Sequence, residues 1–146
     1  MTVMKKLSFV SLAFLATTML TVVLLTGSVI GQVKKGATRP LTTKQMMAGL
    51  VGSNCKALGK GIKAGPADDK AWDSLAQNAA LLNESSHVLM ADGRCPDADW
   101  ANASTMLREQ SQEVLNCIDA RDAEAAQAAF GALTKSCGAC HSKHKK

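Results

Sequence analysis

From Thr43 onward, apolar side chains recur at intervals of three and four residues in four successive stretches of about twenty residues, with turn-forming residues between them. That rhythm lays one apolar stripe along each of four helices, and each stripe must be buried against the others. The first helix is expected from about Thr43 to Ile62, after Pro40 and a Thr42 or Thr43 cap, with Met47, Val51, Cys55, Leu58 and Ile62 on one face. It should stop in the cluster Gly59, Gly61, Gly65 and Pro66. A second, from about Ala67 to Ala91, carries Trp72, Leu75, Ala79, Leu82, Ser86 and Leu89 and is ended by Asp92-Gly93. The third follows Pro96 with Asp97 as cap and buries Trp100, Ala103, Leu107, Val114 and Ile118. After a short break at Asp119 to Asp122, the fourth presents Ala126, Phe130, Leu133, Cys137, Cys140 and His144. The chain has no Tyr, and its only Phe beyond residue 14 is Phe130, so strands are not expected. Short connections make neighbouring helices antiparallel. The expected fold is all-α, an antiparallel up-down-up-down four-helix bundle over residues 42–146.

The first thirty residues read differently. Lys5 and Lys6 precede an uncharged run from Leu7 to Val33, the pattern of an export segment. Val29-Ile30-Gly31 offers small residues for cleavage before Gln32, whereas the length of the run also suits an uncleaved membrane anchor. Residues 1–31 are therefore a signal peptide or anchor, and 32–41 a short tether. Either outcome places the folded part outside the cytoplasmic membrane, in a periplasmic setting, with membrane association only if the segment stays attached. The formal charge is +5, and Lys5 and Lys6 supply two of those charges. Lys34, Lys35 and Arg39 and Lys143, Lys145 and Lys146 put much of the basic excess at the two ends, with no aromatic residues interleaved, so nucleic acid is not an expected partner. A basic end could steer an acidic protein partner, or simply be solvated.

Chemistry concentrates in Cys137-Gly138-Ala139-Cys140-His141. A thioredoxin-like redox pair needs its cysteines at the start of a helix that follows a strand, whereas these fall at a helix end. Zinc could draw on Cys137, Cys140, His141 and His144, but donors this close on one helix cannot surround a metal without unwinding it. Covalent haem needs two thiols one turn apart for the two vinyl groups and an imidazole next to the second thiol for the iron, and Cys-x-x-Cys-His supplies both. The export segment agrees with that, because such attachment occurs outside the cytoplasmic membrane. Haem c held by Cys137 and Cys140, with His141 as proximal ligand, is the leading expectation; zinc and a bare disulfide are the alternatives.

A Cys-x-x-Cys-His motif on the last helix of a four-helix bundle resembles the class II c-type cytochromes, the cytochrome c′ family and its low-spin relatives. The resemblance covers about residues 41–146. In such a bundle the start of helix one and the end of helix four share one end of the molecule, so Met47 can face His141 across a haem. Met46 and Met47 are adjacent and cannot share a helix face, and Met47 continues the apolar stripe. Resemblance to the low-spin members implies a distal Met early in helix one, in a setting like Arg-Gln-x-x-Met, where the five-coordinate members hold an apolar residue; here Lys44-Gln45-Met46-Met47 brings the Met one place early. With Met47 bound, the iron is six-coordinate and the protein is a one-electron carrier serving redox partner proteins. With Met47 only packed over the ring, the protein would be five-coordinate and bind nitric oxide or carbon monoxide. An enzyme is not expected: peroxidase-like chemistry needs a distal acid or base, and helix one has no His. His87 and His144 are read as partly exposed helical residues rather than ligands. Homodimers are common in the resembled family, although the sequence identifies no interface.

Cys55, Cys95 and Cys117 remain. Two of the three could pair in an oxidising compartment. A Cys55–Cys95 disulfide, tying down the second turn, is the expectation, with free buried thiols as the alternative, since a plain antiparallel arrangement sets Cys55 well above that turn.

Overall fold

The computed structural model describes Gly36 and residues 38–145. The expected export segment and the first part of the tether lie outside the described residues. Among those described, no helix is long and apolar enough to cross a membrane.

Helix α1 begins at Thr43–Met46, widens into a π-turn at Met47–Val51 and continues as Gly52–Ala64. Its start is a capping box: the Gln45 amide donates to Thr42 Oγ1 (3.2 Å), and the Thr42 amide donates to Gln45 Oε1 (2.9 Å). Helices α2 (Asp69–Met90), α3 (Ala98–Asp119) and α4 (Ala123–His144) each start on an aspartate. Asp68 accepts from the Ala71 amide (2.8 Å), Asp97 from that of Trp100 (2.9 Å), and Asp122 from that of Ala125 (2.9 Å). The four helices and the all-helical class agree with the sequence. α3 packs along both α2 and α4, while α1 lies along α2 and more lightly along α4.

The expected stripes form the core. Leu58, Leu82, Val114 and Leu133, one from each helix, have no exposed surface. Each contributes about 1.5–3 kcal/mol by leaving water. The Arg121–Asp69 ion pair (2.8 Å) is solvent-exposed at both partners and belongs to a class that contributes at most about 1 kcal/mol, so apolar burial dominates. Buried serines fit among these side chains because each hydroxyl donates back to its own helix: Ser85 to the Leu81 carbonyl and Ser136 to that of Leu133, both at 2.6 Å.

Gly59 and Gly61 do not terminate α1, which runs through both and ends at Gly65, whose φ of 75° suits a residue without a side chain. Both are sites of close approach instead. A Cβ on Gly61 would stand 2.6 Å from a methyl of buried Leu75, and one on Gly59 2.7 Å from the ring tip of Phe130. Phe130 is half-buried and can swing aside, whereas Leu75 has little room. Alanine also gains about 1 kcal/mol of helix propensity over glycine. Gly61→Ala should therefore lower stability by about 1 kcal/mol, overpacking outweighing propensity, while Gly59→Ala stays within about 0.5 kcal/mol of neutral. Urea unfolding of the two variants checks the ordering.

Candidate haem-binding cleft

The tether and the α2–α3 turn lock the start of α1 in place. Asp92, with φ 60°, turns its carboxylate toward the tether, accepting from the Thr38 amide (2.8 Å), the Thr38 hydroxyl (2.9 Å) and the Arg39 amide (3.0 Å). Two residues on, Arg94 is fully buried and donates from Nη2 to the Leu41 carbonyl (2.8 Å); its Nε and Nη1 have no hydrogen-bond partner among the described residues. Desolvation pushes the Asp92 carboxyl up, but the hydrogen bonds from Thr38 and Arg39 and the positive charge of Arg94 outweigh it and hold the group below the usual aspartate value. A depressed folded-state value means the strap is favoured above the ordinary aspartate range and released as pH falls through the folded value. Thr38 and Arg39 amides should therefore be protected from hydrogen exchange at neutral pH, lose that protection on acidification, and lose it at every pH in Asp92→Ala.

Beyond this strap, all four helices line one cleft that is partly open to solvent. α1 contributes Met47 and Val51, α2 Leu89, and α3 Ala103, Ser104 and Leu107. The fourth wall is Ser136, Cys137, Cys140 and His141. The structure thus brings together Met47, Cys137, Cys140 and His141, the four residues singled out in the sequence. The lining is mostly apolar, with two buried serine positions, Ser104 and Ser136. Sequence reasoning passed over both because of their polarity, although Ser136 follows Leu133 by three residues and precedes Cys140 by four, the spacing of the stripe itself.

The π-turn explains an unexpected feature of α1. Met46, expected off the apolar face, is 1% exposed and among the most buried side chains, while Met47 is only partly buried and lines the cleft. The Gly52 amide donates to the Met47 carbonyl, five residues back. A turn closed in this way takes in one residue more than an α-turn. Met46, five before Val51, and Met47, four before it, can then both lie on the inner side of the helix. Adjacent residues do not share a face in a regular α-helix, but this turn is not regular.

The remaining candidates fall elsewhere. His87 is exposed in the last turn of α2 and does not line the cleft. His144 packs edge-on against Trp100, with ring centroids 5.3 Å apart, and its Nε2 lies 3.4 Å from the Asp97 carboxylate. The Trp100 indole donates to the Leu89 carbonyl (2.8 Å), tying α3 to the end of α2. Lys44 and Gln45 are exposed, and Gln45 is occupied in the capping box. The expected Cys55–Cys95 disulfide is not formed. All five cysteines are free, and Cys95 donates to the Asp97 carbonyl (3.4 Å) from the α2–α3 turn. Cys55 lies well inside α1 with Cys137 of α4 as its neighbour, and the Cys137 thiol donates to the Leu133 carbonyl (3.8 Å).

That contact splits the two thiols. Hydrogen bonding from Cys55, aided by Ser136, brings the Cys137 thiol down to about 7 against the opposing effect of burial. Cys55 is pushed strongly upward by the same bond and by burial. Burial, then the negative charges of Cys137 and Asp97, raises Cys140. At His141, burial and then the charge of Lys145 lower the imidazole value, so the ring is neutral at neutral pH and keeps a nitrogen lone pair for a metal. No protein-family model, curated protein or solved structure matches the chain.

Proposed function

We propose that the protein is a c-type haem protein and carries single electrons outside the cytoplasmic membrane. The observation that supports this reading best is the convergence of two thiols one helical turn apart, a neutral imidazole and a thioether on one mostly apolar cleft. The donor set fits the group. Cys137 and Cys140 would hold it by two thioether bonds, His141 would be the proximal ligand, and Met47, on the opposing helix, the distal one. Haem supplies an iron that gains and loses one electron without leaving the protein.

The other lining residues give that iron its setting. Val51, Leu89 and Leu107 give the cleft apolar walls, and an apolar surrounding together with a thioether ligand favours the reduced state. Capping box, π-turn and the Asp92 and Arg94 strap fix where Met47 stands relative to α4. Lys143 and Lys145, exposed beside His141, offer positive charge that would draw an acidic redox partner to the cleft end. The visible spectrum of the full chain, exported in a host with haem-attachment machinery, tests the reading. A sharp low-spin spectrum unaffected by carbon monoxide is expected. A broad high-spin spectrum that shifts with carbon monoxide would replace the carrier with a gas-binding protein, and absence of haem absorbance would reject both.

A further inference from the structure

One thiol in this region has no part in holding haem. Cys55 of α1 neighbours Cys137 of α4, the first of the two proposed attachment cysteines, and both are half-buried against the same apolar cluster. The helices carrying them run close, since Gly59, one turn beyond Cys55, lies against the Phe130 ring, whose tip would stand 2.7 Å from a Cβ placed there. A thiol paired across two helices, in a compartment where disulfides persist, is a bond waiting for an oxidant.

We propose that Cys55 and Cys137 form a disulfide across the α1–α4 contact in the haem-free chain, and that this bond withholds Cys137 from porphyrin attachment. The second clause rests on the function proposed above; the first does not. The oxidant is a disulfide, such as oxidised glutathione or an exported protein disulfide. Cys137 loses its proton to solvent and its sulfur attacks one oxidant sulfur, breaking the oxidant's S–S bond and releasing one thiol. Cys55, deprotonated in turn, attacks the Cys137 sulfur of this mixed disulfide and releases the second thiol. Two electrons thus pass from the protein to the oxidant, whose two sulfurs leave as thiols, and a dithiol reductant reverses both exchanges. Attachment of haem would then require prior reduction of an interhelical bond, in addition to whatever bond Cys137 forms with Cys140.

The test starts from full chain made without haem and reduced. It is equilibrated with oxidised glutathione, its remaining thiols are alkylated, and it is digested with trypsin without reductant. Peptide 45–56 joined to peptide 136–143 is expected, with Cys140 alkylated. The link should persist in Cys140→Ser and vanish in Cys137→Ser and Cys55→Ser. A bond within 136–143, a Cys55 bond to Cys95 or Cys117, or five alkylated cysteines overturns the proposal. In a second arm, haem loading of the oxidised chain is expected to be at least tenfold slower than that of the reduced chain, and Cys55→Ser should load at the reduced rate after either treatment. If neither form takes up haem while the cross-link forms, the functional reading fails and the disulfide stands. If haem loads normally and no cross-link forms, the reverse holds.

Discussion

Replacing Cys137 and Cys140 together by alanine should abolish covalent haem while leaving the bundle folded. Both side chains are only partly buried, so truncation to alanine removes little packing, and alanine is the best helix former. The core of α4 rests on Ala126, Ala129 and Leu133, which the substitutions do not touch. Helical circular dichroism should therefore stay near that of the parent, while haem that survives denaturation, read after acid extraction, falls below detection. Either single variant should retain a one-thioether product at reduced yield. Full retention of covalent haem in the double variant would exclude these two sulfurs as the attachment points.

Met47→Ala should change the iron rather than the fold. Met47 is partly exposed and lines the cleft, so its loss opens the distal side. The low-spin spectrum should give way to a high-spin one that responds fully to carbon monoxide. The midpoint potential should fall by on the order of 100 mV, within the ~0.8 V range that axial ligands command. Its neighbour supplies the control. Met46, at 1% exposure, is a core residue, and Met46→Ala should cost about 2–5 kcal/mol of stability. It should leave the coordination unchanged. A Met47→Ala protein with the parent spectrum, paired with a Met46→Ala protein that has lost it, would exchange the two roles.

These two methionines also mark how far the sequence could be read. Stripe periodicity located all four helices and nearly every core residue, because burial of one face is what makes each helix stable. Asp97 and the break ending at Asp122 placed the starts of α3 and α4, while α2, expected from about Ala67, begins at Asp69 behind an Asp68 cap. The cleft was legible for the same reason: Cys137, Cys140 and His141 are adjacent in sequence, and an even number of antiparallel helices returns α4 to the start of α1.

Non-local or irregular features were hidden. No α-helical period anticipates a five-residue turn, so the burial of Met46 could not be read from spacing. Arg94 reads as a surface charge in a turn, yet the tether and Leu41 cover it completely. Cys55 was paired with Cys95 because a turn cysteine suggested a loop staple, whereas both thiols are free and Cys55 has Cys137 of α4 as its neighbour. Gly59 and Gly61 were read as stops, since nothing local distinguishes a helix end from a place where two helices nearly touch.

The most direct test of the central claim is mass spectrometry of tryptic peptide 136–143 from full chain matured in a host with haem-attachment machinery. It should carry one porphyrin, bonded at both Cys137 and Cys140 and stable to acid-acetone extraction. The unmodified peptide, with both thiols free to alkylate in material exposed to active machinery, would contradict it.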